Sequence, residues 1–144
     1  LPVQRAARVL ARRFDDVFRP LALTNGQFSL LMALNRPEPP TVGELAPFLA
    51  MDRTTLTALI KPLARRGLLK VMPDAQDRRK RRVRLTAAGH RVLTRAHPLW
   101  CEAHAALEQD VGDAAALRSL LGRVTSLLAS GPRVSPPRGH GHPG

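Results

Sequence analysis

Apolar positions along the chain recur with a period that changes from helical to alternating and back, and each change marks an element. Val3, Ala7, Leu10, Phe14, Val17 and Leu21 step by four and three, one face of a long helix over residues 2–19. Arg5, Arg8, Arg12, Arg13, Asp15 and Asp16 fall off that seam; Pro2 suits its first turn and Pro20 stops it. Thr24 with Gln27 three residues later has the form of a capping box, and Phe28, Leu30, Leu31 and Leu34 behind it predict a short buried helix ending before Pro37. Residues 36–40, with three prolines, make a stiff extended connection.

The next stretch packs its signals more tightly. Thr41 with Glu44 repeats the capping box and opens a third helix with Val42, Leu45, Phe48 and Leu49 as its apolar face, which Pro47 is expected to bend or end. Ala50 and Met51 form a turn, Asp52 caps a fourth helix that carries Leu56, Leu59, Ile60 and Leu63 inward, and Gly67 closes it. Two short helices across so short a turn are a helix-turn-helix. Residues 68–72 then read as a strand, 73–82 as a loop and 83–85 as the return strand. A β-ribbon directly after a helix-turn-helix makes the arrangement a winged helix.

Thr86 caps a second long helix whose seam is Leu93, Ala96, Trp100, Ala103 and Leu107, with Pro98 expected to kink it. Gly112 and Asp113 interrupt it, and Leu117, Leu120, Leu121, Val124, Leu127 and Leu128 give a further stripe. The fold expected is mainly α with a small β-wing, in one domain over residues 1–131. A winged helix-turn-helix lobe (about 24–86) is flanked by long N- and C-terminal dimerisation helices (about 2–20 and 87–130). Residues 132–144, rich in Pro, Gly and His, form a disordered tail. Two long apolar seams on a chain of 144 residues suggest burial against a second copy across a two-fold axis.

Charge changes the picture by its location. The net charge is +12, and between Arg53 and Arg84 eleven Lys or Arg stand against two acids, Asp74 and Asp77. A basic block placed on a helix-turn-helix and its wing is the electrostatic footprint of phosphate binding. The outward residues of the fourth helix, Arg53, Thr54, Thr55, Thr57, Ala58 and Lys61, are short or hydrogen-bonding and suit base edges and phosphates in a major groove. Wing arginines beside it would reach phosphates or a narrow minor groove. The candidate DNA-binding residues are therefore Asp52, Arg53, Thr54, Thr55, Thr57 and Lys61 on the helix, and Asp77, Arg78, Arg79, Lys80 and Arg81 on the wing.

The stretch ELAPFLAMDRTTLTALIKPLARRGLL and the following DAQDRRKRRVRLTAAG closely resemble the MarR/SlyA family of winged-helix transcription regulators. The resemblance runs from residue 2 to about 129, and its most specific part is Asp77 and Arg79 followed by Val83, Leu85, Thr86 and Gly89. It implies a helical dimer with a winged-helix lobe in each subunit, built on the first helix and the two C-terminal ones. It further implies that the helix from Asp52 reads the major groove, that Arg79 enters the minor groove, and that Asp77 holds a neighbouring arginine by a charge-assisted hydrogen bond. Two departures stand out. Arg81 and Arg82 replace an apolar wing residue common in relatives, which predicts a more mobile wing, and Ala58 replaces a longer polar side chain.

The function expected is a homodimeric, sequence-specific double-stranded DNA-binding regulator, a repressor acting at a pseudo-palindromic operator and released by a small-molecule effector. The alternative is a non-specific or architectural DNA-binding protein. Trp100, with Phe14 and Phe28, is the candidate lining for an effector pocket, against the alternative that these rings are core or dimer packing. His90, His97 and His104 recur every seven residues, but neighbours about 10 Å apart along a helix cannot share one ion, so no metal or other cofactor is expected. Cys101 cannot form an internal disulfide and is read as buried packing rather than a thiol sensor. No glycine-rich phosphate loop, H-E-x-x-H or G-x-S-x-G occurs, which argues against an enzyme. No apolar run approaches the roughly 20 residues of a membrane span. No signal-peptide pattern opens the chain, so cytoplasm is the expected location. The chain opens on Leu1 rather than Met, and native residues are expected before it.

Overall fold

The computed structural model describes residues 1–129, so the expected tail at 132–144 lies outside the described residues. Helix α1 (Pro2–Phe18) starts on a proline whose missing N–H is no loss in a first turn, and it buries Phe14 and Phe18 at its C-terminal end. Pro20 falls in a short 3-10 turn (Arg19–Leu21), after which Ala22, at φ 52°, redirects the chain into α2 (Asn25–Ala33). The Thr24 hydroxyl accepts from Gln27 N at 3.2 Å while the Gln27 side chain accepts from Thr24 N at 3.0 Å. The Thr41 and Glu44 pair does the same for α3 (Val42–Phe48).

Phe48 departs from the expected apolar face. Leu45 and Ala46 already fill the inward side of so short a helix, and Pro47 brings it to an end one residue later. Phe48 is left 67% exposed, covered in part by the Arg36 guanidinium 5.1 Å from its ring centre.

Helix α4 (Arg53–Arg65) follows a turn in which Ala50 takes a left-handed φ of 52°, and ends where Gly67 takes φ 68°. Strands β1 (Leu69–Pro73) and β2 (Arg81–Leu85) then pair antiparallel, Leu69 opposite Leu85 and Pro73 opposite Arg81. The wing tip is thus shorter than the predicted loop, because Arg81 and Arg82 are strand residues. A third edge reinforces the ribbon: Thr41 bridges to Arg82 and Val83 N donates to Pro40 O at 2.9 Å.

Helix α5 (Ala87–Val111) passes through Pro98 as one helix, and its first turn lies directly against Leu68, the residue before β1, and Leu85 of β2. A Cβ at Gly89 would stand 2.0 Å from Leu68 O, so only glycine permits that approach. Leu30, Leu31, Leu45, Leu56, Leu63, Leu69, Val83 and Phe18 are fully buried and tie α1, α2, α3, α4 and the ribbon into one core. Arg13 and Asp110 pair at 3.5 Å where α1 meets α5.

Among the described residues the chain groups into a compact unit over Leu1–Gly112 and a second over 113–129. Gly112 at φ 82° is the break between them. The second holds α6 (Ala114–Ala129), whose start Asp113 caps by accepting from Ala116 N at 2.9 Å. Leu120, Leu121, Val124 and Leu127 on it are exposed. Among the described residues no helix is long and apolar enough to cross a membrane.

Candidate nucleic-acid interface

Helix α4 presents its polar side because its apolar side is taken: Leu56, Ile60 and Leu63 are buried. Its N-terminus is fixed by Asp52, which accepts from Thr55 N at 2.7 Å and from the Thr55 hydroxyl at 2.9 Å. These bonds, the backbone one first, hold the Asp52 carboxyl below its ordinary range. Two of the predicted helix residues are therefore partners of each other, and the Thr55 hydroxyl proton is directed at Asp52. Arg53, Thr54, Thr57 and Lys61 are exposed, as is Ala58 among them.

The wing is built on a different device. Asp74, only 5% exposed, accepts from Gln76 N at 2.8 Å and Asp77 N at 2.9 Å, and from Arg82 Nε. The two backbone donors, then Arg82, bring its pKa down to about 2, and the Arg82 guanidinium is correspondingly raised. Arg82 also donates to Pro39 O at 2.6 Å, lashing the wing to the proline-rich connection. The expectation that Arg82 loosens the wing is thus reversed: a half-buried arginine with a carboxylate and a carbonyl replaces an apolar anchor. At the tip, Asp77 accepts from Arg79 N and Arg79 Nε, each at 3.1 Å, so the arginine it holds is Arg79 itself. The Arg79 side chain nevertheless remains 92% exposed. Arg78, Lys80 and Arg81 are exposed around it.

Helix and wing face each other across a concavity of ≈ 740 Å³. Arg53 and Thr57 line its helix side, and Asp77, Arg79, Lys80 and Arg81 its wing side. The structure thus brings four of the five wing candidates and two of the six helix candidates to one cleft with a cationic rim.

Three residues with structural work in this region were missed. Asp74 counts in the sequence only toward the charge total and Arg82 only toward that total and a looser wing, although Pro73-Asp74 opening a loop is recognisable turn chemistry. Arg66, just beyond α4, donates to Ala22 O at 2.6 Å and Leu21 O at 3.0 Å, joining the helix exit to the corner before α2. Nothing local in the sequence signals that bond.

The aromatic candidates are brought together as a stacked row. Phe14, Phe18, Phe28, Trp100 and His104 follow ring on ring at 6.3, 4.3, 6.3 and 4.7 Å between centroids. Phe14 and Phe28 are buried in the core, and the half-buried Trp100 carries the row outward to His104. His104 lies 3.4 Å from Glu108. Cys101 corrects the packing expectation: it is exposed, its sulfur 3.7 Å from His97 Nδ1, because one residue past Trp100 already turns away from the inward face of α5. Among the described residues no three His, Cys, Asp or Glu side chains gather as a metal site.

The MarR family model matches residues 23–80, the span from α2 to the wing tip. A crystal structure of the M. tuberculosis transcriptional regulator MosR in complex with DNA superposes with a TM-score of 0.81 at 36% identity, covering 90% of this chain and 94% of that one. The chain belongs to the MarR family. Among curated MarR-type relatives, the transcriptional activatory protein BadR of Rhodopseudomonas palustris is 42% identical over 73 residues, 49% of this chain and 42% of BadR, so the match spans less than half of BadR's length. The PcaV transcriptional regulator of Streptomyces coelicolor, solved with its natural ligand, has a TM-score of 0.74 at 25% identity over 84% of this chain and 89% of that one. This MarR-family chain is accordingly a winged-helix transcriptional regulator and not an enzyme.

Proposed function

We propose that this MarR-family regulator binds double-stranded DNA sequence-specifically as a cytoplasmic homodimer, acts as a repressor, and is released by a small-molecule effector. The observation that carries the reading is the cleft between α4 and the wing, where a hydrogen-bonding helix face and an exposed arginine tip meet. Helix α4 enters the major groove, with Arg53, Thr54, Thr57 and Lys61 toward bases and phosphates; Arg79, held by Asp77, reaches the neighbouring minor groove. The dimer is supported by apolar side chains left exposed in the single chain, Val3 and Val9 on α1 and Leu120, Leu121, Val124 and Leu127 on α6. Two copies place two α4 helices on half-sites about 34 Å apart, and bound to a promoter they occlude polymerase.

An effector has differential affinity for a spacing of the two lobes that no longer matches DNA. PcaV's natural ligand and the half-buried outer end of the aromatic row at Trp100 support this part of the reading. Phe14 and Phe28 are buried in the core, which favours an effector at Trp100 and His104 over a deeper one.

Selection of bound sequences from random duplex DNA tests the proposal. The expected product is a palindrome with two half-sites one helical turn apart. Recovery of no preferred sequence, with affinity that falls steeply with salt and a specificity ratio near one, would replace it with non-specific DNA binding.

A further inference from the structure

We infer that Ala58 is a specificity-determining residue: a notch it floors on the outward face of α4 receives the C5-methyl group of a thymine in each half-site. The inference rests on the DNA-binding reading above and deepens it.

Ala58 occupies the middle of the helix face opposite the buried Leu56, Ile60 and Leu63. Its helical neighbours on that face are Thr54 four residues before, Lys61 three after and Pro62 four after. With Arg53, Thr57 and Arg65 these residues line a shallow concavity of ≈ 580 Å³. What surrounds Ala58 is graded in chemistry. Ala58, Thr54 and Thr57 each carry a methyl group and Pro62 an apolar ring, so the centre is small and apolar, while Arg53, Lys61 and Arg65 place cations around it.

A face of this kind reads a base pair by shape. The Ala58 methyl carries no donor or acceptor, so the polar pattern of the pair facing it goes unread. The group that projects from a pair into the major groove and needs no hydrogen bond is the thymine methyl, and alanine and threonine methyls are its usual partners. The cationic rim holds phosphates on either side and brings the apolar centre to the groove floor. The Thr55 hydroxyl proton, bound to Asp52, does not compete for the site.

The test uses the duplex recovered by selection, with each thymine of a half-site replaced in turn by deoxyuridine, which lacks only the methyl group. Wild-type protein is expected to lose about four-fold in affinity at one position per half-site, the effect of one methyl removed from an apolar contact. Ala58→Gln, which fills the notch at an exposed position of good helix propensity, is expected to bind the thymine and deoxyuridine duplexes equally. Ala58→Gly, which removes the floor, is expected to do the same, so a folding failure in one variant leaves the other as the test. Equal wild-type affinity for every substituted duplex overturns the inference, as does thymine preference that survives in Ala58→Gln. Absence of any preferred duplex overturns the DNA-reading proposal itself, and a preferred duplex indifferent to the methyl overturns this inference alone.

Discussion

Helix α4 is seated by Leu56, Ile60 and Leu63, all buried in the core, whereas the wing beyond the fully buried Val83 is held by polar atoms. Asp74 gathers two backbone N–H groups and Arg82, Arg82 reaches Pro39 O, and Asp77 gathers Arg79. Both elements border one cleft and both are cationic, but burial of apolar area is non-directional and insensitive to pH, while charge-assisted hydrogen bonds are directional and titrate. The helix should therefore share the fate of the global fold, and the wing should be adjustable without it.

The largest effect expected is on the helix side. Leu56→Ala leaves a cavity in a fully buried position and should lower stability by about 2–5 kcal/mol in a thermal or denaturant melt, with helix and wing lost together. On the wing side Arg82→Ala should leave the melt nearly unchanged and weaken DNA binding on the order of tenfold, through lost preorganisation. Because Arg82 is turned to Asp74 and Pro39, the salt dependence of binding should keep its slope. Arg79→Ala should also weaken binding by roughly tenfold, but should reduce that slope by about one if its exposed head meets the phosphates or the minor groove. A collapse of the melt in Arg82→Ala would erase the distinction between the two regions.

Acid sharpens the same comparison. The Asp74 pKa is depressed in the folded chain to about 2 from an ordinary value of 3.8, so its contribution to wing order is full above 3.8 and is lost as pH falls through about 2. Amide exchange at Gln76 and Asp77, whose N–H groups it accepts, should remain protected at pH 4 and accelerate between about 3.8 and 2. In Asp74→Asn that acid-dependent step should vanish. Protection in wild type that ended well above pH 4 would mean that another group holds the tip.

Legibility in the sequence followed the reach of each interaction. Caps at Thr24, Thr41, Asp52 and Thr86 join atoms three residues apart, and each stood in the sequence as a residue pattern. The helix-turn-helix and the ribbon were legible for the same reason, their periods being local. Arg82 to Pro39 spans 43 residues and Arg66 to Ala22 spans 44, and no local pattern tells such an arginine from one facing solvent. Cys101 and Phe48 failed in the opposite sense. Their type favours burial, but their angular positions, beside Trp100 on α5 and at the end of α3, left the inward faces to their neighbours.

The smallest effect expected separates two adjacent threonines that sequence alone could not rank. Thr55 accompanies Asp52 through its N–H and its hydroxyl, so Thr55→Val removes one bond from an exposed cap and leaves the other. Its cost should be a few tenths of a kcal/mol, less than the roughly 1 kcal/mol of losing a cap residue outright, with sequence preference unchanged. Thr54 is exposed four residues before Ala58 and is isosteric with valine, so Thr54→Val should leave the melt alone and shift preference at one position of the half-site. Sequence selection run in parallel on the two variants measures the difference. A shift in preference from Thr55→Val and none from Thr54→Val would place base reading on the cap side of α4, with the helix docked about a quarter-turn from the orientation that its apolar seat implies.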